Sequence, residues 1–323
     1  MTYQVLVPDN LNKAGLEALR ANPEIEVVAP GKMSRNDTLA AALTAHALII
    51  RSDTKVDAEL LDKAQALKVV VRAGVGVDNI DLSAATAHGV IVMNTPESNT
   101  ISTAEHALAL ILALCRHIPA ADRSVRAGEW ERKKFTGTQL YGKTLGILGF
   151  GRVGRALAER ATCLGLNEIA YDPFVPEEIA RHLGLSLVPR VEDLFERADI
   201  LSLHAVVNDQ TRGIINAANI ARMKDGVLII NAARGGLINN ADLAAALKSG
   251  KVGGAAIDVY DVEPPAADNP LLGLENVVYT PHLGASTNEA QEAVGVEAAN
   301  AVINALTKQR FDNVRNRAVF DRK

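Results

Sequence analysis

Arg234 in NAARGG, Glu263 in DVYDVEPP and His282 in TPHLGAST follow one another in the last third of a 323-residue chain. A guanidinium can grip a carboxylate through two parallel hydrogen bonds, and an imidazole exchanges protons near neutral pH. A carboxylate beside the imidazole fixes the ring and stabilises its cationic form. Together they are the parts of an acid/base site for a small hydroxy or keto acid. Alone, each has a commoner reading: a satisfied turn histidine, a loop carboxylate, a surface cation. What joins them is placement, because each follows an apolar run that reads as a strand: VLIINAA, GAAIDVY and NVVYT. In an open parallel sheet ligands bind at the carboxyl ends of the strands, so the three could meet over one anionic substrate.

A redox partner for that chemistry is suggested by a second motif. Gly149-Phe150-Gly151-Arg152-Val153-Gly154 follows the strand-like TLGIL and opens the helix-like RALAERATCLG. Gly149 suits a tight turn, Gly151 a close approach of backbone to a pyrophosphate, and Gly154 a helix lying close on its strand, with the phosphates on the exposed N–H groups of the helix. Asp172 ends the next strand, EIAYD, where an acid can accept from a ribose 2′-hydroxyl and would repel a 2′-phosphate; no arginine follows to compensate, which favours NAD over NADP. A competing turn, Ala73-Gly74-Val75-Gly76 after LKVVVR, has no third glycine, and the next strand, VIVMN, ends in Asn94. It reads either as part of the substrate site or as a plain turn.

The elements that must carry these residues form two series. From Gln4 to Pro96 the runs VLVP, IEVVA, ALIIR, LKVVVRAG and VIVMN alternate with helical stretches such as Leu11–Ala21 and Asp57–Ala64. A second series starts at Lys143 and ends in the helix Glu289–Leu306. This βα rhythm in both halves predicts an α/β protein with two parallel sheets covered on both faces, and the length predicts two domains. The apolar stretch Ile101–Ile118 between them predicts a helix packed between domains or subunits. The last residues, FDNVRNRAVFDRK, read as a strand or arm with a frayed end.

Composition narrows the partners. With 34 basic and 38 acidic side chains and a net charge of -4, nothing favours nucleic acid or an anionic membrane. Ala107–Cys115 is about half of the ~20 residues a spanning helix needs, and no signal peptide is expected. Cys115 and Cys163 sit in apolar helical patterns and predict free buried thiols of a cytoplasmic protein, with no disulfide and no metal cluster.

NAARGGLIN, DVYDVEPP, TPHLGAST and GFGRVG resemble the signatures of the D-isomer-specific 2-hydroxyacid dehydrogenase family, and RSDTKV, VVRAGVGVDNIDL, GEWERKKFTGTQLYGKTLGILG and TRGIIN extend the likeness over nearly the whole chain. The resemblance implies a discontinuous flavodoxin-like substrate domain, residues 1–96 and 288–323, around a Rossmann NAD-binding domain, residues 97–287. It implies a homodimer or dimer of dimers joined partly through Ile101–Ile118. It also implies catalytic roles for Arg234, Glu263 and His282, cofactor contacts from Arg152, Val153 and Ala232, an approach of Asp258 to the nicotinamide amide, and a substrate-carboxylate site in the backbone of Gly74 and Val75. Within the family the likeness is greatest to members that oxidise 3-phosphoglycerate to 3-phosphohydroxypyruvate in serine biosynthesis. Arg51 after ALII and Arg72 after LKVVV, both at strand ends, suit the phosphate of such a substrate. By resemblance, Arg132 of a neighbouring subunit adds a cation, although Trp130–Lys134 also reads as a solvated basic turn. A reductase of glyoxylate or hydroxypyruvate, or a dinucleotide-sensing binding protein, are the alternatives.

Two departures from the family pattern stand out. His204-Ala205-Val206-Val207 replaces a proline-containing stretch, and the chain stops soon after Asn316, so regulation through a C-terminal domain is not expected.

Overall fold

The computed structural model describes residues 2–321. The chain divides into two compact units, one running to Asn99 and resuming at Ser286, the other spanning Thr100–Ala285.

The first unit is built on five parallel strands: β1 (Tyr3–Leu6), β2 (Ile25–Val28), β3 (Ala47–Ile50), β4 (Val69–Arg72) and β5 (Ile91–Asn94), in the order β2-β1-β3-β4-β5. That is the flavodoxin-like order of a doubly wound sheet. Val, Ile and Leu dominate because both faces are covered: all four residues of β3 are buried. Val294, Ala298, Ala299 and Val302 of the long helix Asn288–Lys308 pack with Val5, Val7, Ile49 and Val71 on one face, and Leu39, Leu60, Leu61 and Ala85 cover the other. The carboxyl edge of this sheet carries Arg51, one residue beyond β3, and Arg72 and Asn94, the last residues of β4 and β5.

The C-terminal segment does not fray within the described residues. Val314 makes an antiparallel bridge to Met93, and Asn316 accepts from the Val92 N–H at 2.9 Å and donates to the Val90 carbonyl at 2.9 Å. The otherwise open edge of β5 is thereby closed. A 3-10 turn, Arg317–Asp321, follows.

The second unit holds seven parallel strands: β6 (Thr144–Leu148), β7 (Asn167–Tyr171), β8 (Ser186–Leu187), β9 (Ile200–Leu203), β10 (Val227–Asn231), β11 (Val252–Ile257) and β12 (Val277–Tyr279). Their order is β12-β11-β10-β9-β6-β7-β8. The chain winds outward from β6 to β8, then returns to place β9 on the other side of β6. The Rossmann switch point therefore lies between β6 and β9.

The apolar helix ends sooner than its sequence predicts. Thr100–Cys115 buries Ala104, Ala107, Leu110, Ile111 and Leu114 in the core of this unit. His117 then takes a left-handed φ of 53°, and Pro119 opens a separate helix, Ile118–Arg126. Cys115 is buried, and burial pushes its thiol up to about 11. Cys163 is exposed, contrary to its apolar sequence context, because it caps the end of the helix Arg152–Thr162. No single helix among the described residues is long and apolar enough to cross a membrane.

Candidate active site

The residues that follow β6, β7, β10, β11 and β12 define the candidate site on the second unit. Gly149 follows β6 with φ 93°, and a Cβ there would lie 2.5 Å from the Ala205 nitrogen, so the turn lies tight against the segment after β9. A Cβ on Gly154 would lie 2.4 Å from the Gly149 carbonyl oxygen, which explains why the helix can sit so close to its strand. Gly151 faces open space and is the N-cap of the helix Arg152–Thr162, with no side chain capping its first N–H groups. This is the cradle a dinucleotide pyrophosphate requires: a wall of backbone, helix N–H groups with no side-chain cap, and room. Arg152 and Val153 are the first residues of that helix.

Asp172 follows β7 and faces the same turn. Its Oδ2 accepts from the Phe150 N–H at 2.9 Å and its Oδ1 from the Phe174 N–H at 2.9 Å. Each carboxylate oxygen can take a further donor, as a ribose hydroxyl requires. His204, beyond β9, backs Gly149; burial depresses it to about 4, so it is neutral, and Ser202 lies 2.8 Å from its Nε2.

Arg234, Glu263 and His282 come from the ends of three adjacent strands, β10, β11 and β12. His282 Nδ1 lies 2.7 Å from Glu263 Oε2, and Glu263 Oε1 accepts from the Tyr260 N–H at 3.1 Å. The carboxylate is thus oriented before it orients the ring. Because Nδ1 faces a carboxylate it carries the proton, which leaves Nε2 for a reacting hydroxyl. Arg234 is half-buried, with Nη1 2.6 Å from the Ala233 carbonyl.

Residues that the sequence reading passed over shape this edge. Asn231, fully buried, accepts from the Ala233 and Arg234 N–H groups and donates to the Arg234 carbonyl at 2.9 Å, so an asparagine-closed turn presents the arginine. A Cβ on Gly235 would lie 2.1 Å from the Tyr260 carbonyl carbon, so only glycine lets the Arg234 turn press against the chain leading to Glu263. An asparagine ending an apolar strand and a glycine after the arginine were the available signals. Ala232 is buried at the same edge.

Asp258, expected to approach the nicotinamide amide, directly follows β11. It is 0 % exposed, and its carboxylate is held by donors from residues 280–284 and by His106. Burial opposes the charge, but hydrogen bonds from His106, Thr280 and the Leu283 N–H prevail and hold the carboxyl below its ordinary range.

On the first unit, Arg51 and Arg72 follow or end neighbouring strands. The Arg51 N–H donates to Asp9, a buried carboxylate that also binds the Thr54 hydroxyl at 2.6 Å. Arg72 Nη1 lies 3.1 Å from the Ala73 carbonyl. The Gly74 N–H donates to Thr95 Oγ1 at 2.7 Å, and Asn94 ties down the Val75 carbonyl at 2.6 Å. Glycine suits position 74 for its φ of 140° and because the Arg72 guanidinium occupies the place of a Cβ. Arg132 lies in an exposed turn of the second unit.

Residues 108–284 match the family model described as D-isomer specific 2-hydroxyacid dehydrogenase, NAD binding domain. The chain belongs to this family. NAD is accordingly its cofactor, and the glycine turn, the helix N-terminus and Asp172 fit it. The chain is 49 % identical to a D-3-phosphoglycerate dehydrogenase of Archaeoglobus fulgidus over 93 % of its own length and 57 % of the relative's. It is 46 % identical to the D-3-phosphoglycerate dehydrogenase of Methanocaldococcus jannaschii over 97 % of this chain and 59 % of that one. The chain thus spans little more than half the length of these relatives. Its structure superposes on a glyoxylate reductase from Paecilomyes thermophila with a TM-score of 0.87 and 31 % identity, covering 98 % of this chain and 99 % of that one.

Proposed function

We propose that the protein oxidises D-3-phosphoglycerate to 3-phosphohydroxypyruvate with NAD, the step that opens serine biosynthesis. The observation that carries the chemistry is the 2.7 Å contact of Glu263 with His282 at the strand edge that also presents Arg234, in a domain built for a dinucleotide. The names of the relatives at 46 and 49 % identity support the choice of substrate.

Bound NAD supplies a nicotinamide that accepts hydride from the carbinol carbon. Arg234 holds the substrate carboxylate in a two-pronged grip and so fixes that carbon. As the carbonyl forms, His282 Nε2 takes the hydroxyl proton, and Glu263 stabilises the resulting imidazolium through Nδ1–H. In the reverse direction His282 returns the proton to the carbonyl oxygen. Arg51 and Arg72 bind the phosphate, with Arg132 of a partner subunit as a further cation, and the backbone around Val75 helps hold the carboxylate. Asp172 selects NAD through the ribose hydroxyls.

The enzyme is proposed to be a cytoplasmic homodimer. Ile118, Val125, Trp130 and Tyr141 are exposed apolar side chains of one stretch of the second unit, and burial in a subunit interface would account for them. Reduction of glyoxylate or hydroxypyruvate is the second reading, favoured by the likeness to the glyoxylate reductase. Initial rates for 3-phosphoglycerate, glyoxylate and hydroxypyruvate with NAD(H) and NADP(H) separate the two. Fastest turnover on 3-phosphoglycerate with NAD is expected, and faster turnover of glyoxylate would replace the proposal with the reductase.

A further inference from the structure

His282 stands in a left-handed backbone conformation, φ 56°, which residues other than glycine seldom adopt and which its surroundings must hold. Asp258 braces the segment around it. The His282 N–H donates to the Asp258 carbonyl at 2.8 Å, and the next two N–H groups, of Leu283 and Gly284, donate to Oδ1 at 2.7 Å and Oδ2 at 2.9 Å. The Thr280 hydroxyl donates to Oδ1 at 2.6 Å. A single fully buried carboxylate therefore gathers residues on both sides of the catalytic histidine.

Such a carboxylate holds its geometry only while its lone pairs are filled, since an unfilled acceptor in a dry site is costly. The donor that comes from outside the loop and its own strand is His106. Its Nε2 lies 3.2 Å from Asp258 Oδ1 and 3.2 Å from Thr280 Oγ1. His106 rides on the helix Thr100–Cys115, whose neighbouring residues Ala104, Ala107 and Leu110 are locked in the core of the same unit. The loop carrying His282 is thus anchored, through one carboxylate, to an element that cannot shift without disturbing the core.

We propose that His106 is a positioning residue that sets the His282 loop through Asp258. The inference rests on the reading of His282 as the acid/base group, but the hydrogen-bond chain exists whatever reaction the site performs. Its test uses the full chain with His106→Leu, which removes the donor, and His106→Gln, whose amide reaches the position of Nε2. Backbone hydrogen exchange at Leu283 and Gly284 should quicken about tenfold or more in the leucine variant, as expected when a charge-assisted hydrogen bond is lost, and return towards wild type with glutamine. The kcat for the hydroxy acid should follow the same order while the affinity for NADH stays within a factor of about two. If the leucine variant does not fold, His106→Asn takes its place, because its shorter amide reaches only the Nδ1 position and should behave as a lost donor. Unchanged exchange at Leu283 and Gly284, or identical behaviour of the donor-bearing and donor-lacking variants, overturns the proposal. Quicker exchange in a protein that oxidises no hydroxy acid would sustain the link from His106 to the loop and remove only the catalytic reading.

Discussion

The turns after β6 and β4 look alike in sequence, each a buried apolar strand running into glycines, yet they differ in what their backbones have left to give. After β6, a helix of eleven residues starts at once, its first N–H groups lack side-chain caps, and Gly151 faces open space. After β4, the Gly74 N–H is taken by Thr95, the Val75 carbonyl by Asn94, and the space over Gly74 by the Arg72 guanidinium. The first turn has the make-up of a backbone cradle for phosphate. The second is a braced platform with a guanidinium lying over it. A glycine pattern becomes a nucleotide site only when a helix follows immediately and its N–H groups remain unspent.

The comparison breaks most sharply at its glycines. Gly154→Val would press its side chain against the backbone oxygen of Gly149, which has no room to give, so NADH binding measured by fluorescence titration should be lost, with about 1–3 kcal/mol or more of stability. Gly74→Ala meets only the end of a flexible arginine besides its strained φ, so it should raise KM for the hydroxy acid and leave the NADH titration as it was. Loss of NADH binding in both variants would show that the two turns are not distinct in function.

The cationic platform is sharpened by Arg51→Ala and Arg72→Ala. Each should reduce kcat/KM for 3-phosphoglycerate by ~1.5–3 kcal/mol, the range of a hydrogen bond to a charged group, and affect unphosphorylated hydroxy acids much less. Equal losses on both substrate classes would deny the platform its phosphate. On the cradle side, Asp172→Ala should weaken NAD binding more than NADP binding, narrowing the preference between them by about tenfold in Kd ratio. An unaltered ratio would mean that the acid serves only the Phe150 and Phe174 N–H groups.

Much of this was legible in the sequence because the constraints are local. Strand, three glycines, helix and acid lie within residues 144–172, and Arg234, Glu263 and His282 lie three, six and three residues beyond the ends of β10, β11 and β12. What escaped were contacts that sequence distance hides. Asp258 meets residues 25 and 26 positions later, and His106 reaches a partner 174 positions away. Nothing in AGVG reveals that the Gly74 N–H meets the Thr95 hydroxyl. The end of the helix at Cys115 was missed because apolar spacing continues through Ile118, although Pro119 marked the restart. Cys163 was read as buried from its neighbours, whereas a residue capping a helix end is not held to the buried stripe.

The smallest expected effect is one of pH. His204 backs the β6 turn with its folded-state value depressed from 6.5 to about 4, so between those values the unfolded chain binds the proton and the folded chain does not. Stability should therefore fall as pH drops from about 6.5 towards 4, and His204→Asn should flatten that part of the slope of Tm against pH. An unchanged slope would show that the histidine behind the cradle is not kept neutral.

The central claim is that the edge formed by β10, β11 and β12 is a hydroxy-acid oxidation centre served by the neighbouring NAD cradle. Its most direct test is His282→Ala, assayed for kcat on 3-phosphoglycerate and, in the same preparation, for NADH affinity. Removing the general base should lower kcat by about 10²–10⁴-fold while NADH binds as in the wild type. Turnover within a few-fold of the wild type, with NADH still bound, would contradict the claim.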